Sequence, residues 1–412
     1  MSIKSLLIIG FVWPEPNSSA AGSRMMQLIS FFKNNNYTIT FASAAQDSSF
    51  MVNLESFGVE KKSIELNNAS FDDFVIALNP DVVLFDRFMI EEQFGWRVAE
   101  NCPKAIRLLD TEDLHCLRTS RQKAFKENRD FQLSDLLREE VAKREIASIL
   151  RCDLSFIISE YEVKLLKEVF KVDTIILHYL PFMLNEISEI DLEVLPSFES
   201  RNHFLFIGNF LHEPNWNTVQ YLKEAIWPLI RKELPDASLK IYGGYASQKV
   251  LQLHNAKEGF LILGRAAEAN EVVRDAKVVL APIRFGAGLK GKLVEAMQNG
   301  TPSVTTCIGA ESMNGDLLWN GFIEDNALDI ALKAIELYQN KELWIQSQKN
   351  GITIINERYD SVVLESRLKV VIENLVQNLD VHRQQNFLGN LLQFHTLRST
   401  KYMSKWIEAK NK

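Results

Sequence analysis

Short apolar runs alternate with helix-patterned stretches along this chain, and the alternation stops once and then restarts. Leu6–Val12, Tyr37–Ser43, Asp81–Phe85, Ala105–Leu109, Leu154–Ser159 and Thr174–Leu180 read as strands. Ser23–Asn34 reads as a helix, with Met25, Met26, Leu28, Ile29 and Phe32 at helical spacing. The pattern fades across Leu192–Asn202, where Pro196, Ser197, Ser200 and several charges mark a linker. It resumes with strand patterns at His203–Ile207, Ser238–Tyr242, Phe260–Leu263, Val278–Ala281 and Ser303–Thr306, and helix patterns at Asn217–Lys232, Ala269–Asp275 and Leu289–Gln298. Such alternation implies a parallel sheet covered by helices on both faces. The expectation is an α/β chain of two doubly wound units, 1–190 and 200–375, with a helical tail, 376–412, packing back on the first domain or another surface. A length of 412 residues suits two cores of comparable size better than one.

Composition narrows the functional classes. Apolar residues make up 46% and charged residues 24%, the balance of an ordinary globular chain. The net charge of −7 argues against general nucleic-acid binding, which depends on phosphate neutralisation by Lys and Arg. Cys102, Cys116, Cys152 and Cys307 are scattered, without metal-type spacing or a disulfide framework, so a reducing, cytoplasmic setting is expected. The first apolar run is short, β-branched and meets Pro14-Glu-Pro16, which reads as a buried strand and not as a signal peptide. No stretch has the length to span a membrane, which leaves only peripheral contact at the inner membrane face open.

The chemistry concentrates in Pro282–Ile308. A strand ends at Pro282, a loop with Gly286 and Gly288 follows, and a helix begins. Ligands of open α/β sheets sit beyond the C-terminal strand ends. A helix N-terminus offers free N–H groups and a positive dipole to phosphate, and glycine lets the backbone come close. Lys290 and Lys292 fall in the first turn, where the dipole disfavours cations by typically ~0.3–1 kcal/mol each. Two cations there make sense around an anion. Glu295, three residues on, shares a face with Lys292 at a rise of roughly 4.5 Å. A cation for a diphosphate beside a carboxylate for ribose hydroxyls suits a nucleoside diphosphate. The plainer alternative is a solvated Lys292–Glu295 pair next to a glycine turn.

Several segments together resemble the GT-B glycosyltransferases of family 4, the group 1 transferases. They are Phe206-Ile-Gly-Asn-Phe-Leu-His-Glu-Pro-Asn-Trp-Asn217, Ala225-Ile-Trp-Pro-Leu-Ile230, Gly286-Ala-Gly-Leu-Lys-Gly-Lys-Leu-Val-Glu-Ala-Met297, Gly300-Thr-Pro-Ser-Val-Thr-Thr306 and Ile308-Gly-Ala-Glu311. Fainter similarity lies in Gly22-Ser-Arg24 and Leu109-Asp-Thr-Glu-Asp-Leu-His115. The resemblance implies two Rossmann-like domains facing across a cleft and transfer of a sugar from a nucleotide diphosphate to a hydroxyl acceptor. The acceptor would be a glycan, a lipid-linked saccharide or another hydroxyl compound. The role would be in polysaccharide or glycoconjugate synthesis, with retention and without a metal or a cofactor beyond the donor itself. By matching positions, Glu295 would bind the donor ribose, Lys290 or Lys292 would neutralise the diphosphate, and Arg284 would help. Gly22 would begin a first-domain loop over the sugar phosphate. Gly208, Asn209, Arg265, Gly286, Ala287, Gly288 and Leu289 would line the donor site. Two departures stand out. Many members carry Glu where this chain has Ala287, and that Glu usually contacts the donor sugar. Many also place Arg and Lys in the stretch that here holds Asn209, His212 and Asn215.

In the first domain, Asp110, Glu112, Asp113 and His115 follow a strand end and would face the cleft. His115 could contact acceptor or donor sugar; equally, Thr111 or Asp113 could cap the next helix and His115 satisfy a core hydrogen bond. Neither Asp110 nor Asp113 has an Asp two residues away, as a metal-holding Asp-x-Asp would. Arg118, Arg121, Lys123, Lys126 and Arg129 form a basic run, read either as a solvated helix face or as a seat for an anionic acceptor or membrane. The tail end, with Lys401, Lys405, Lys410 and Lys412, raises the same question. Two other functions stay open: a nucleotide-sugar epimerase of the same fold, and a binding scaffold without catalysis.

Overall fold

The computed structural model describes residues 4–410, with the side chains of 396–398 not described; Lys412 lies outside the described residues. Seven parallel strands form the first sheet: β1 (Lys4–Gly10), β2 (Tyr37–Ser43), β3 (Glu60–Ser63), β4 (Val82–Asp86), β5 (Ile106–Asp110), β6 (Leu154–Ile157) and β7 (Leu177–Tyr179), in the order β3-β2-β1-β4-β5-β6-β7. Six form the second: β8 (Phe204–Ile207), β9 (Leu239–Tyr242), β10 (Phe260–Gly264), β11 (Val278–Ala281), β12 (Ser303–Thr305) and β13 (Gly321–Ile323), in the order β10-β9-β8-β11-β12-β13. Central strands such as Leu6–Ile9 and Val82–Phe85 are buried on both faces, which is why they read as continuous apolar runs. β3, Glu-Lys-Lys-Ser, is an edge strand with no such signature, and nothing in its sequence marks it.

Each strand order reverses once, between β1 and β4 and between β8 and β11. A crevice opens at such a reversal, beyond the carboxyl ends of the strands. The two crevices face each other, and the loops after β1, β4, β8 and β11 line a common cavity.

The tail departs from the expected boundary at 376. Leu184 pairs with Tyr359 and Ser361 through backbone bonds, and the helix Ser361–Gln385 already belongs to the first domain. Its Leu364, Leu368, Ile372 and Leu375 join the cluster of Leu6, Ile8, Met25 and Leu28. Burial of each such side chain contributes roughly 1.5–3 kcal/mol, so their spacing of three and four residues along one helix face fixes where the chain crosses back. After a kink at Asn378, the helix Phe387–Lys410 lies against the helices Phe88–Asn101 and Glu140–Arg151. At the linker, buried Arg201 donates to Pro196 O, Ala276 O, Thr301 Oγ1 and Asn299 O, and stacks on Trp344, which anchors the start of the second domain.

Candidate functional site

The cavity between the domains measures about 680 Å³. Its second-domain wall grows from two loops. After β8, Gly208 lets the side chain of Lys292 approach: a Cβ there would lie 2.7 Å from Lys292 Nζ and 2.8 Å from Asn215 Cγ. After β11, the chain runs through Gly286–Leu289 into the helix Gly291–Gln298. Gly288 adopts φ +63°, which disfavours any side chain, and its N–H donates to Glu162 Oε1 of the first domain at 2.8 Å.

The two lysines are placed differently. Lys290 is the N-cap residue, buried, and its Nζ folds back to Gly288 O at 2.6 Å and Ala287 O at 3.3 Å, bracing the loop. Lys292 reaches up to Asn215 Oδ1 at 2.5 Å and over the Phe206 ring at 4.2 Å. Burial lowers the pKa of Lys290 to about 8 and that of Lys292 to about 7, with Glu311 opposing the first shift and Glu295 the second. Burial raises Glu295 to about 7, against the pull of Lys292. Lys292 and Glu295 are both half-buried in the cleft, and among the described residues they form no ion pair within 4 Å. The solvated-pair alternative is therefore absent. What stands there is a desolvated cation and a desolvated carboxylate, side by side, both facing the cavity.

The helix Gly291–Gln298 has no side-chain cap, so its first N–H groups stay available. Its N-terminus abuts that of the helix Ala20–Asn34 of the first domain: a Cβ on Gly291 would collide with Ala20 Cβ. Sequence spacing gave Gly291 no importance, since the requirement arises between domains. Gly22 lies in the first turn of the Ala20–Asn34 helix, its N–H on Ser19 Oγ at 3.1 Å, packed against the Glu15 backbone. It lines the cleft as part of a helix start, not of a closing loop; the helix begins three residues before the expected Ser23 because Ser19 caps it.

Arg284 is misplaced in the sequence reading. It is absent from the cavity lining; its guanidinium stacks on Tyr221 and Phe125, and its Nε donates to Asn217 Oδ1 at 2.9 Å. Alternation along the loop turns Ile283 and Phe285 inward and Arg284 outward. Asn209 lines the cleft and spends its groups locally, its side chain accepting from Leu211 N–H and its carbonyl from Asn215 Nδ2. Arg265 donates to Ser18 Oγ at 3.3 Å and stacks on Phe50, and Tyr245 donates to Glu15 Oε1 at 3.0 Å. These contacts bridge the cleft mouth. Ala287 lines the cavity and packs against the apolar cluster of the first domain, so no carboxylate stands at this point of the cleft wall. Leu289 packs in the cluster between the domains.

On the first-domain wall, His115 faces the cavity at the start of the helix His115–Lys126. Its Nε2 lies 3.5 Å from Asp113 Oδ1 and its ring meets Phe88 edge-on. Burial lowers its pKa to about 4, so the ring is neutral at pH 7. Glu145, which the sequence did not single out, caps that helix by accepting from His115 N and Cys116 N. Asp113 is bound by Arg118, and despite burial this partner brings its pKa down to about 2. The basic run is not one solvated face. Arg118 lines the cleft, and Arg121, buried, crosses to Gly286 O at 2.9 Å and Glu311 at 2.7 and 2.9 Å. Lys123 and Arg129 stay on the surface in local ion pairs. Asp110 points inward, holding buried Arg24 at 2.9 Å, while Arg24 also donates to Leu180 O and Pro181 O. That pair ties the first sheet to the chain leading out of β7.

Residues 201–340 match the family described as "Glycosyl transferases group 1". A Klebsiella pneumoniae protein described as an uncharacterized 44.6 kDa protein in the cps region is 26% identical over 164 residues, 38% of this chain and 42% of that one. The chain thus matches less than half the length of that curated relative. Among solved structures, Anabaena HepE in complex with UDP and glucose superposes at TM-score 0.66 with 13% identity, over 90% of this chain and 100% of that one. Sucrose-phosphate synthase of Thermosynechococcus elongatus gives 0.65 and 12%, over 90% and 99%. A variant of S. aureus TarM in complex with fondaparinux, α-GlcNAc-glycerol and UDP gives 0.57 and 16%, over 73% and 57%. At these identities the likeness establishes the fold: GT-B, two Rossmann-like domains facing across a cleft.

Proposed function

We propose that the chain transfers a glycosyl group, a hexosyl or a related sugar, from a nucleoside diphosphate sugar to a hydroxyl acceptor. The observation that carries this reading is the pairing of Lys292 and Glu295. They are desolvated, unbonded to each other, and aimed into a cleft where two strand-order reversals and two helix N-termini meet. Desolvating two opposite charges without joining them costs stability, and a ligand bearing both anionic and hydroxyl groups would offset that cost. The group 1 match over 201–340 covers this same wall.

In this mechanism the diphosphate lies against the N-terminus of the Gly291–Gln298 helix and Lys292, while Glu295 accepts from ribose hydroxyls. Lys290 keeps the loop in shape. Negative charge develops on the leaving diphosphate as the glycosidic bond breaks, and preset donors there lower the barrier without reorganising. Neutral His115, on the opposite wall, is suited to hydrogen-bond a sugar hydroxyl. With Ala287 in place of a carboxylate, the sugar is read from the first-domain side, by His115 and the Asp113–Arg118 pair. Arg121–Glu311 and Glu162–Gly288 tie the two domains together beside the cleft. Retention at the anomeric carbon and independence of a metal ion are part of the proposal and rest on the family resemblance. So does a role in cell-surface glycan synthesis, while a cytoplasmic site of action rests on the scattered free cysteines.

The test is a thermal-shift screen with UDP, GDP, dTDP and ADP sugars, followed by product analysis of the stabilising donor with and without acceptors. Stabilisation by one nucleotide class and acceptor-dependent sugar loss are expected. A sugar isomer formed from donor alone would make the protein an epimerase. Binding without turnover across an acceptor panel would leave a scaffold, and no stabilisation by any donor would remove the site.

A further inference from the structure

The helix Phe387–Lys410 buries one face and leaves an unusual one outside. Inward, Ser404 bonds Arg97, Glu408 pairs with the same guanidinium, Gln393 donates to Arg151 O, and Lys401 reaches Glu100. Outward stand Phe387 (70% exposed), Leu391 (43%), Tyr402 (67%) and Trp406 (60%). At 100° per residue these positions, with Lys405 among them, fall within about one-third of the helix circumference. The stripe runs from Phe387 to Trp406, roughly 28 Å at 1.5 Å per residue.

Charge decides what covers this face. The one acid of the helix, Glu408, is consumed by Arg97 on the inner side, so the outer stripe carries Lys405 and no carboxylate. Lys410 extends over the Trp406 ring at 5.3 Å. Arg383 and Lys401 are held on the inner side by Asp153 and Glu100, which leaves Lys405 and Lys410 as the described cations of the outer side, in a chain whose net charge is −7. A second copy docking through the same stripe about a two-fold axis would set lysines against lysines with no acid to receive them. Aromatic rings interleaved with lysines along a surface helix instead match the boundary of an anionic bilayer, where rings enter the acyl edge and ammonium groups meet lipid phosphates. No described helix is long and apolar enough to cross a membrane, and this one lies flat on its domain.

We infer that the outer face of the Phe387–Lys410 helix is a seat for an anionic lipid surface, holding the protein peripherally by its first domain. The test uses the full chain in flotation assays with vesicles of phosphatidylcholine alone and of phosphatidylcholine with phosphatidylglycerol at 3:1. Binding to the anionic vesicles should exceed binding to the neutral ones by about tenfold at low salt and weaken as salt is raised. The double variant Phe387→Ser/Trp406→Ser and the charge variant Lys405→Glu/Lys410→Glu should each cut that binding by about tenfold. All four side chains are on the outer face, and an unchanged melting curve with unchanged nucleotide binding would show that the fold and cleft are intact. Equal binding to both vesicle types, no binding at low salt, or binding indifferent to these variants would overturn the inference. So would concentration-dependent dimerisation in sedimentation equilibrium that the serine variant abolishes, which would make a second copy the occupant. None of these outcomes depends on sugar transfer.

Discussion

Replacing Lys292 by methionine should divide ligand binding from stability. The ammonium sits 2.5 Å from Asn215 Oδ1, above Phe206, in surroundings that pull its pKa from 10.5 to about 7. In the empty cleft it is a cost: a desolvated cation with one neutral acceptor and no bound carboxylate. Methionine keeps the length and apolar stem, so the variant should melt at or above the parent temperature. A nucleoside diphosphate supplies the missing anion. A hydrogen bond to a charged group contributes about 1.5–3 kcal/mol, which corresponds to a Kd rise of about 10- to 150-fold on losing it. Calorimetry with UDP, GDP, dTDP and ADP on parent and variant, beside differential scanning calorimetry of both, reads the two effects separately. If Lys292→Met bound the preferred nucleotide within about threefold of the parent, or melted far below it, Lys292 would be a structural residue and the diphosphate site would lie elsewhere.

Glu295→Gln should raise Kd for the nucleoside diphosphate by about tenfold and weaken inorganic pyrophosphate less, because the ribose hydroxyls lose their acceptor whereas the diphosphate feels only the altered charge beside Lys292; equal loss for both ligands would contradict the assignment. Anion binding favours protonated Lys292, so affinity should fall as pH rises from 7 to 9 with proton uptake on binding. Below about 7 Glu295 protonates and the ribose contact weakens, so affinity should peak near neutrality; a flat profile by calorimetry in two buffers of different ionisation enthalpy would refute this. Gly208→Ala should weaken nucleotide binding by pushing Lys292 Nζ, 2.7 Å from the new methyl, off Asn215, with little change in the urea midpoint. Arg24→Met leaves Asp110 buried without its cation and should cost about 3–5 kcal/mol in urea denaturation, although neither residue lines the cavity.

Local patterning made the two sheets legible. β2 runs Tyr37–Ser43 and β11 Val278–Ala281, as the apolar runs indicate, because strands buried on both faces carry their burial in consecutive residues. The loop of Gly286 and Gly288 before Lys292 and Glu295 was readable too, since a positive φ and a helix N-terminus are local demands. Tertiary structure decided what depends on a partner far along the chain. It turned Arg284 onto Tyr221 and away from the cleft, gave Lys290 to its own loop, and drew Arg121 out of an apparent surface run to Glu311, 190 residues later. It returned the chain to the first domain at Ser361, because the apolar face of that helix fits one core and not the other, a choice periodicity does not encode. A side chain's direction around a loop, and the second half of every interdomain contact, have no spacing signal. The sequence therefore determined where the strands other than β3 and β13 and the Gly286–Gly288 loop lie, and packing between the two domains determined which of the flagged residues share the cleft.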